Sequence, residues 1–401
     1  MKGNARVKPA KQLPRIVVFG IGCLVALAAL LALAPQAVLQ YGAGALAVAC
    51  ALLAVVFGPY LLAVGCTTGF LPGAGSLWGL AAILPFYVAH VVFIVVISKR
   101  TSLWRLFGRF GERARKTFVV IWAIVSALGV WYELPCVTQY DVAIDGGKVP
   151  AEGLRLALVT DLHSCRYGAE GRALAEAIKA QNPDAVLLSG DIFDDRLPDD
   201  NAKAFLAAIA RDIPCFYAFG NHEHWSDRIP EMREILLSSG VTVLVGKVKT
   251  VKMRGVEIDF CGIDDPTYMS ASAWLAQIAS VASASDSSRL RILLSHRPEY
   301  AAEYEKHGFD LVVSGHLHGG QWGLPFLGLG VCGPSSGGPE GHERFLFPRM
   351  AGGAYALKNG TTMVVSRGLA RESTPLPRFF NHPEVVILKI SNVQYPLSII
   401  Q

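Results

Sequence analysis

The feature that most constrains this 401-residue chain is a repeated ending. Five short apolar runs, at residues 154–160, 185–190, 215–220, 290–295 and 311–315, each stop at side chains able to hold a metal ion. The first ends in Asp161-Leu162-His163, the second in Asp191, the third in Asn221-His222, the fourth in His296 and the fifth in His316-Leu317-His318. Apolar runs of this length, separated by polar helical stretches, describe an α/β layered domain. In an open α/β sheet the loops diverge at the C-terminal strand edge and leave a crevice there, so ligand-type residues at those edges meet in space. A single Asp or His at a strand end is more often a turn or cap residue. It is the ordered set of five that points to a site.

Carboxylate and amide oxygens mixed with imidazole nitrogens suit divalent ions such as Mn, Fe, Zn or Mg. Two such ions about 3.5–4 Å apart can clamp a phosphoryl group, generate a hydroxide near neutral pH and stabilise the leaving oxygen, with a shared carboxylate bridging the gap.

Together, Asp161-x-His163, Gly190-Asp191-x-x-Asp194, Gly220-Asn221-His222-Glu223, Ser295-His296 and Gly315-His316-x-His318 resemble the motifs of the calcineurin-like metallophosphoesterases. Gly319, Gly320 and Gln321 after the last histidine are similar to the bacterial membrane-associated or exported branch, and the match spans residues 154–390. The resemblance implies a four-layer α/β/β/α sandwich and a metal-dependent hydrolase of phosphomonoesters, phosphodiesters or pyrophosphates, working by in-line attack of a metal-bound hydroxide. It implies one ion held by Asp161, His163, Asp191 and His318, with Asp191 bridging to a second ion held by Asn221, His296 and His316. It also implies that His222 contacts the phosphate and protonates the leaving oxygen, with Asp194 orienting its ring. Asp194 reads equally well as a loop or cap residue in the acidic pair Asp194-Asp195. Two positions depart from the branch: Leu317 stands for a common threonine, which bears on substrate contacts, and Ala370 stands for a common glycine in a loop near the site.

The mean hydropathy of +0.38 is unusual for a wholly soluble chain, and the apolar excess lies before Pro135. Residues 16–34, 45–65, 77–97 and 118–132 contain no Lys, Arg, Asp or Glu, and three of the four approach or exceed the roughly 20 residues that span a bilayer. The expected organisation is an all-α transmembrane region over residues 1–135 and the phosphoesterase domain over 136–401. Residues 16–34 also resemble a signal peptide, but Pro35 directly after Ala32-Leu33-Ala34 argues for a retained anchor. Orientation is contradictory, because the basic tail (Lys2, Arg6, Lys8, Lys11, Arg15) and the basic linker at residues 99–116 flank three spans. Keeping the more basic linker in the cytoplasm puts the catalytic domain on the extracytoplasmic face. Those spans hold no carboxylate, Lys or Arg and a single imidazole, His90, so anchoring is a simpler role than transport.

A net charge of +5 with no basic stripe in the soluble half gives nucleic-acid binding little support, and no signal identifies a partner protein. The eight cysteines lack a C-x-x-C pair and read as packing residues. The Gly- and Pro-rich stretch 319–354 follows two ligand positions, and its Trp322, Phe326 and Phe345 could wall a lipid-linked phosphate or simply pack the loop. Arg344, Arg349 and Arg367 could hold phosphate oxygens, although arginines on loops are usually solvated. His224 and His342 match no motif and are expected on the surface, and residues 282–288 read as a surface linker. The alternative to an enzyme is a membrane scaffold or sensor that binds metal without turnover. It is disfavoured because Asp191, Asn221, His222 and His318 are all present.

Overall fold

The computed structural model describes residues 135–392, except 145–146, 169–170, 325–328, 331–346, 372, 375–377 and 379. The four apolar stretches, the basic clusters that flank them, Phe326, His342, Arg344 and Phe345 lie outside the described residues. Among the described residues no helix is long and apolar enough to cross a membrane.

Two six-stranded mixed sheets carry the domain. The first runs in the order β1 (Cys136–Ile144), β14 (Glu384–Asn392), β2 (Leu154–Val159), β3 (Ala185–Ser189), β4 (Cys215–Ala218), β5 (Thr242–Val243). The second runs β12 (Gly353–Ala356), β13 (Thr362–Val365), β9 (Leu311–Ser314), β8 (Leu290–Leu294), β7 (Val256–Gly262), β6 (Lys247–Met253). Pairing is parallel through β2, β3, β4 and β5 and through β7, β8, β9 and β13, so the ligand-bearing ends within each sheet point the same way.

Strand parity builds three cores. Side chains two apart share a face, so Leu154, Leu156 and Leu158 of β2 face the interior between the sheets, together with Phe216, Phe260, Ile292, Val313 and Val364. Ala157 and Val159 face the other way, onto the helices Arg172–Lys179, Asp200–Ala210 and Ile229–Ser238. The second sheet does the same with Leu293, Val312 and Val365 against the helix Ala271–Ala284, through Trp274, Ile278 and Val281. These strands are buried on both faces, which is why they read as unbroken apolar runs rather than as alternation. The order of layers is helix, sheet, sheet, helix, as the resemblance implies.

The helices bury a matching stripe, as Ala202, Phe205, Leu206 and Ile209 do in Asp200–Ala210. On β6, at the edge of the second sheet, Lys247, Lys249 and Lys252 are exposed and discourage a further strand from adding. The helix Ala271–Ala284 continues into the Ala/Ser-rich stretch expected to be linker, which starts only at Ser285. Burial pushes the thiols of Cys215 and Cys261 up to about 12, in keeping with packing roles.

Phe216 and Phe260 stack across the two sheets with ring centroids 3.9 Å apart. Phe216→Ala is expected to lower the unfolding free energy by about 3–5 kcal/mol. Leu237→Ala, at a position 58% exposed, should stay within about 0.5 kcal/mol. Urea unfolding of the full-length protein checks both.

Candidate functional site

The strand ends bring the predicted residues together. Asp161 and His163 follow β2, Asp191 follows β3, Asn221 and His222 open the helix Asn221–Trp225 after β4, His296 follows β8, and His316 and His318 follow β9. Asp161, His163, Asp191, His316 and His318 all adopt positive φ, between 48° and 68°. Asp and His are among the side chains that tolerate this region best, and strained backbone concentrates where surrounding structure over-determines it. Here neighbouring loops supply that constraint. The amides of His163 and Ser164 donate to the carbonyls of Asp191 and Ile192, and the amide of Gly315 donates to the carbonyl of His296. Glycine is required by space: a Cβ at Gly220 would fall on the Asp191 carboxylate and one at Gly315 on that of Asp161.

Two groups of donors form around the buried carboxylates. In the first, His318 Nε2 is 3.2 Å from Asp161 Oδ1 and 3.3 Å from His163 Nε2, while His163 Nε2 is 3.7 Å from Asp191 Oδ2. In the second, His296 Nε2 is 2.9 Å from Asp191 Oδ2, and His316 offers a nitrogen within 4.8 Å of both groups. Asp191 faces both clusters. The His296 Nδ1–H donates to the Ser189 carbonyl at 2.9 Å, which leaves Nε2 as the nitrogen facing Asp191. Asn221 Oδ1 and His316 Nε2 are buried with no hydrogen-bond partner. Buried polar atoms are almost always satisfied, so orphaned acceptors beside two carboxylates fit a bound cation, and the oxygen and nitrogen donor set suits a divalent one.

Electrostatics follow from this crowding. Burial alone would raise Asp191, but His296, His222 and His163 hold its carboxyl well below the usual range. Burial pushes the His296 imidazole down, and Asp191 and Asp161 overcome it, raising the group to about 10. Burial, then the neighbouring Arg297 and His296, hold His316 well below its ordinary value.

The two carboxylates of the acidic pair face different imidazoles. Asp194 Oδ2 accepts from His163 Nδ1 at 3.0 Å and lies 3.7 Å from His222 Nδ1. Its Oδ1 accepts the amides of Arg196 and Leu197, so it is a turn cap as well. The carboxylate in contact with His222 Nδ1 is Asp195, at 2.7 Å. The turn that Asp194 caps points its second oxygen at His163.

Other residues took on roles that spacing did not reveal. Glu223, quoted in a motif with no task assigned, accepts the amides of Gly220, Asp191 and Phe193 and the Tyr217 hydroxyl, tying β4 to the Asp191 loop. It lies in the polar run Asn221-His222-Glu223-His224, so nothing in the sequence signalled its burial. The Arg378 guanidinium and the Asn381 amide donate to the His318 carbonyl from some 60 residues away, with no sequence signal. Arg367 is half-buried and paired with Glu384 at 2.5 Å, whereas Arg349 is exposed. His224 is buried rather than on the surface, stacked on Tyr268 at 4.3 Å. Leu317 is fully buried, so it packs instead of lining a substrate surface, and Ala370 is buried with its carbonyl accepting Arg378 Nε. Trp322 is half-buried.

Residues 154–320 match the family model described as calcineurin-like phosphoesterase. An uncharacterized metallophosphoesterase of Campylobacter jejuni is 27% identical over 306 residues, covering 75% of this chain and 75% of that one. The phosphodiesterase YaeI of Escherichia coli is 29% identical, covering 45% of this chain and 66% of that one. A transmembrane protein with metallophosphoesterase domain from Danio rerio is 25% identical, covering 59% of this chain and 60% of that one. Among solved structures, TT1561 of Thermus thermophilus is similar with a TM-score of 0.36 and 12% identity, covering 54% of this chain and 90% of that one. This match covers the segment that carries every ligand-type strand end, so residues 154–320 form a calcineurin-like phosphoesterase domain, the kind of domain that hydrolyses phosphoric ester bonds.

Proposed function

We propose that the chain is a membrane-anchored phosphoesterase with a two-cation centre. In this reading Asp161, His163, Asp191 and His318 hold one ion, and Asp191, Asn221, His296 and His316 hold the other. The observation that carries it is the pair of donor clusters sharing Asp191, with Asn221 Oδ1 and His316 Nε2 buried and unpartnered beside them.

Bound there, two divalent cations of the Mn, Fe, Zn or Mg type would place positive charge against the phosphoryl oxygens and acidify an attacking water. The chain supplies the rest. Asp194 holds the Nδ1–H of His163, fixing the tautomer that leaves Nε2 as a ligand. Glu223 fixes the backbone on both sides of Asp191. His222, half-buried and with a ring nitrogen within 4.8 Å of Asp191 and His163, is the proton donor to the leaving oxygen.

Membrane attachment rests on the apolar stretches before Pro135 and on two supports. The similarity to the Campylobacter jejuni protein extends over more residues than 136–401 holds, and the Danio rerio relative is named as a transmembrane protein. In this reading the membrane region covers 1–135 and the catalytic domain 136–401. With the basic linker in the cytoplasm, that domain lies on the extracytoplasmic face. A phosphodiester or a lipid-linked phosphate is the substrate this arrangement favours, since the Escherichia coli relative is named a phosphodiesterase and tethering concentrates the site near lipid.

The full-length protein should hydrolyse p-nitrophenyl phosphate or bis-p-nitrophenyl phosphate with added Mn and lose turnover with chelator. On a phenyl ester, whose leaving oxygen needs the proton, His222→Ala should lower kcat about 10²- to 10⁴-fold, and Asp191→Asn should reduce turnover of every ester to background. A folded, Mn-loaded protein with no turnover would turn the assignment toward a metal-binding sensor. Removing the metal should also lower the unfolding temperature by several degrees, because a ligand bound only to the native state stabilises it. A melting curve with and without chelator reads that shift, and an unchanged midpoint argues against a resident cation.

A further inference from the structure

The two adjacent carboxylates Asp194 and Asp195 sit between two imidazoles, and their oxygens are separately employed. Asp194 Oδ1 is taken by the amides of Arg196 and Leu197, each at 2.9 Å, and its Oδ2 by His163 Nδ1 at 3.0 Å. Asp195 Oδ2 is held by Arg196 Nε at 3.0 Å, and its Oδ1 meets His222 Nδ1 at 2.7 Å. A full ångström separates that contact from the 3.7 Å between His222 Nδ1 and Asp194 Oδ2. The two rings meet edge to face at 4.3 Å, and Trp225 lies against His222 at 4.7 Å. The His222 ring is therefore confined by an imidazole, an indole and one carboxylate. Asp194 is nearly buried at 2% exposure, whereas the Asp195 side chain keeps 14%. The first is part of the cluster floor and the second stands at its rim beside the half-buried His222.

From this geometry we infer that Asp195 is the positioning residue for His222, and that Asp194 acts on the other side of the site, through His163. The inference rests on the reading of His222 as proton donor. A carboxylate at Nδ1 fixes the tautomer, so that Nε2 faces the leaving oxygen, and it stabilises the protonated ring before transfer. The Nε2 proton moves from His222 to the oxygen of the breaking P–O bond, and the Nδ1–H stays on His222, donating to Asp195. Asp194 makes the equivalent bond to a residue proposed to hold the cation, so its loss falls on metal retention instead.

Leaving-group dependence separates the two roles. A p-nitrophenolate leaves as a stable anion with little need of a proton, while a phenolate leaves far better with one. Full-length wild type, Asp195→Ala, Asp195→Asn and Asp194→Ala are loaded with Mn, checked for folding by circular dichroism, analysed for bound metal, and assayed on phenyl and p-nitrophenyl esters. Asp195→Ala should retain wild-type metal and lose about 10- to 100-fold in kcat/KM on the phenyl ester, with less than about 3-fold lost on the p-nitrophenyl ester. Asp195→Asn, which still accepts the Nδ1–H, should recover part of that loss. Asp194→Ala should retain less metal and slow both esters alike, and Asp194→Asn serves in its place if the alanine variant does not fold. Equal loss on both esters in Asp195→Ala, or a leaving-group split in Asp194→Ala, overturns the inference while leaving the phosphoesterase reading intact. No turnover of either ester by Mn-loaded wild type removes both.

Discussion

Two carboxylates, Asp161 and Asp191, are each almost wholly excluded from solvent and approach the same imidazole, His296 Nε2, at 3.8 and 2.9 Å. Burying even one charge costs several kcal/mol unless partners compensate, so much of the surrounding structure can be understood as compensation. Asp161 receives the Thr160 hydroxyl and the His316 amide, and Asp191 receives the His222 amide and faces the His296 ring. Those partners come from four different strand ends, which have to be held in register for the charges to be tolerated at all.

Rigid strands make that possible. Because β2, β3, β4, β8 and β9 are buried on both faces, each is clamped between the inter-sheet core and a helical layer, and its C-terminal end has little freedom. The loops beyond then accept left-handed backbone at Asp161, His163, Asp191, His316 and His318, cross-linked by amide-to-carbonyl bonds. Glu223 joins two of these ends directly, since its carboxylate gathers donors from β4, from the turn at Gly220 and from the Asp191 loop. Burial, and next the charge of Asp191, raise this carboxyl, while the hydrogen bonds from Tyr217, Gly220 and Phe193 oppose them.

Much of this was legible in advance, and the misses share one cause. Strands of known polarity ending in Asp, Asn or His could be found by pattern, because chain direction alone puts those ends at one edge. Which of two neighbouring carboxylates serves which histidine could not, since Asp194 and Asp195 differ only in the turn that orients them. Nor could the engagement of Arg367 with Glu384, the burial of His224 or the reach of Arg378 to the His318 carbonyl, because each depends on segments distant in sequence or on a loop path that no periodicity encodes.

The amino-acid sequence by itself determined the layered α/β class, the strand ends that carry chemistry and the residue types that suit divalent cations, because apolar periodicity and donor chemistry are local properties. The tertiary structure alone decided how donors are divided around Asp191, which nitrogen of His163 and of His296 is left facing the carboxylates, and that Asp195 rather than Asp194 meets His222. Those are differences of an ångström between groups at separate strand ends, and only the packing of the loops that meet there sets distances that small.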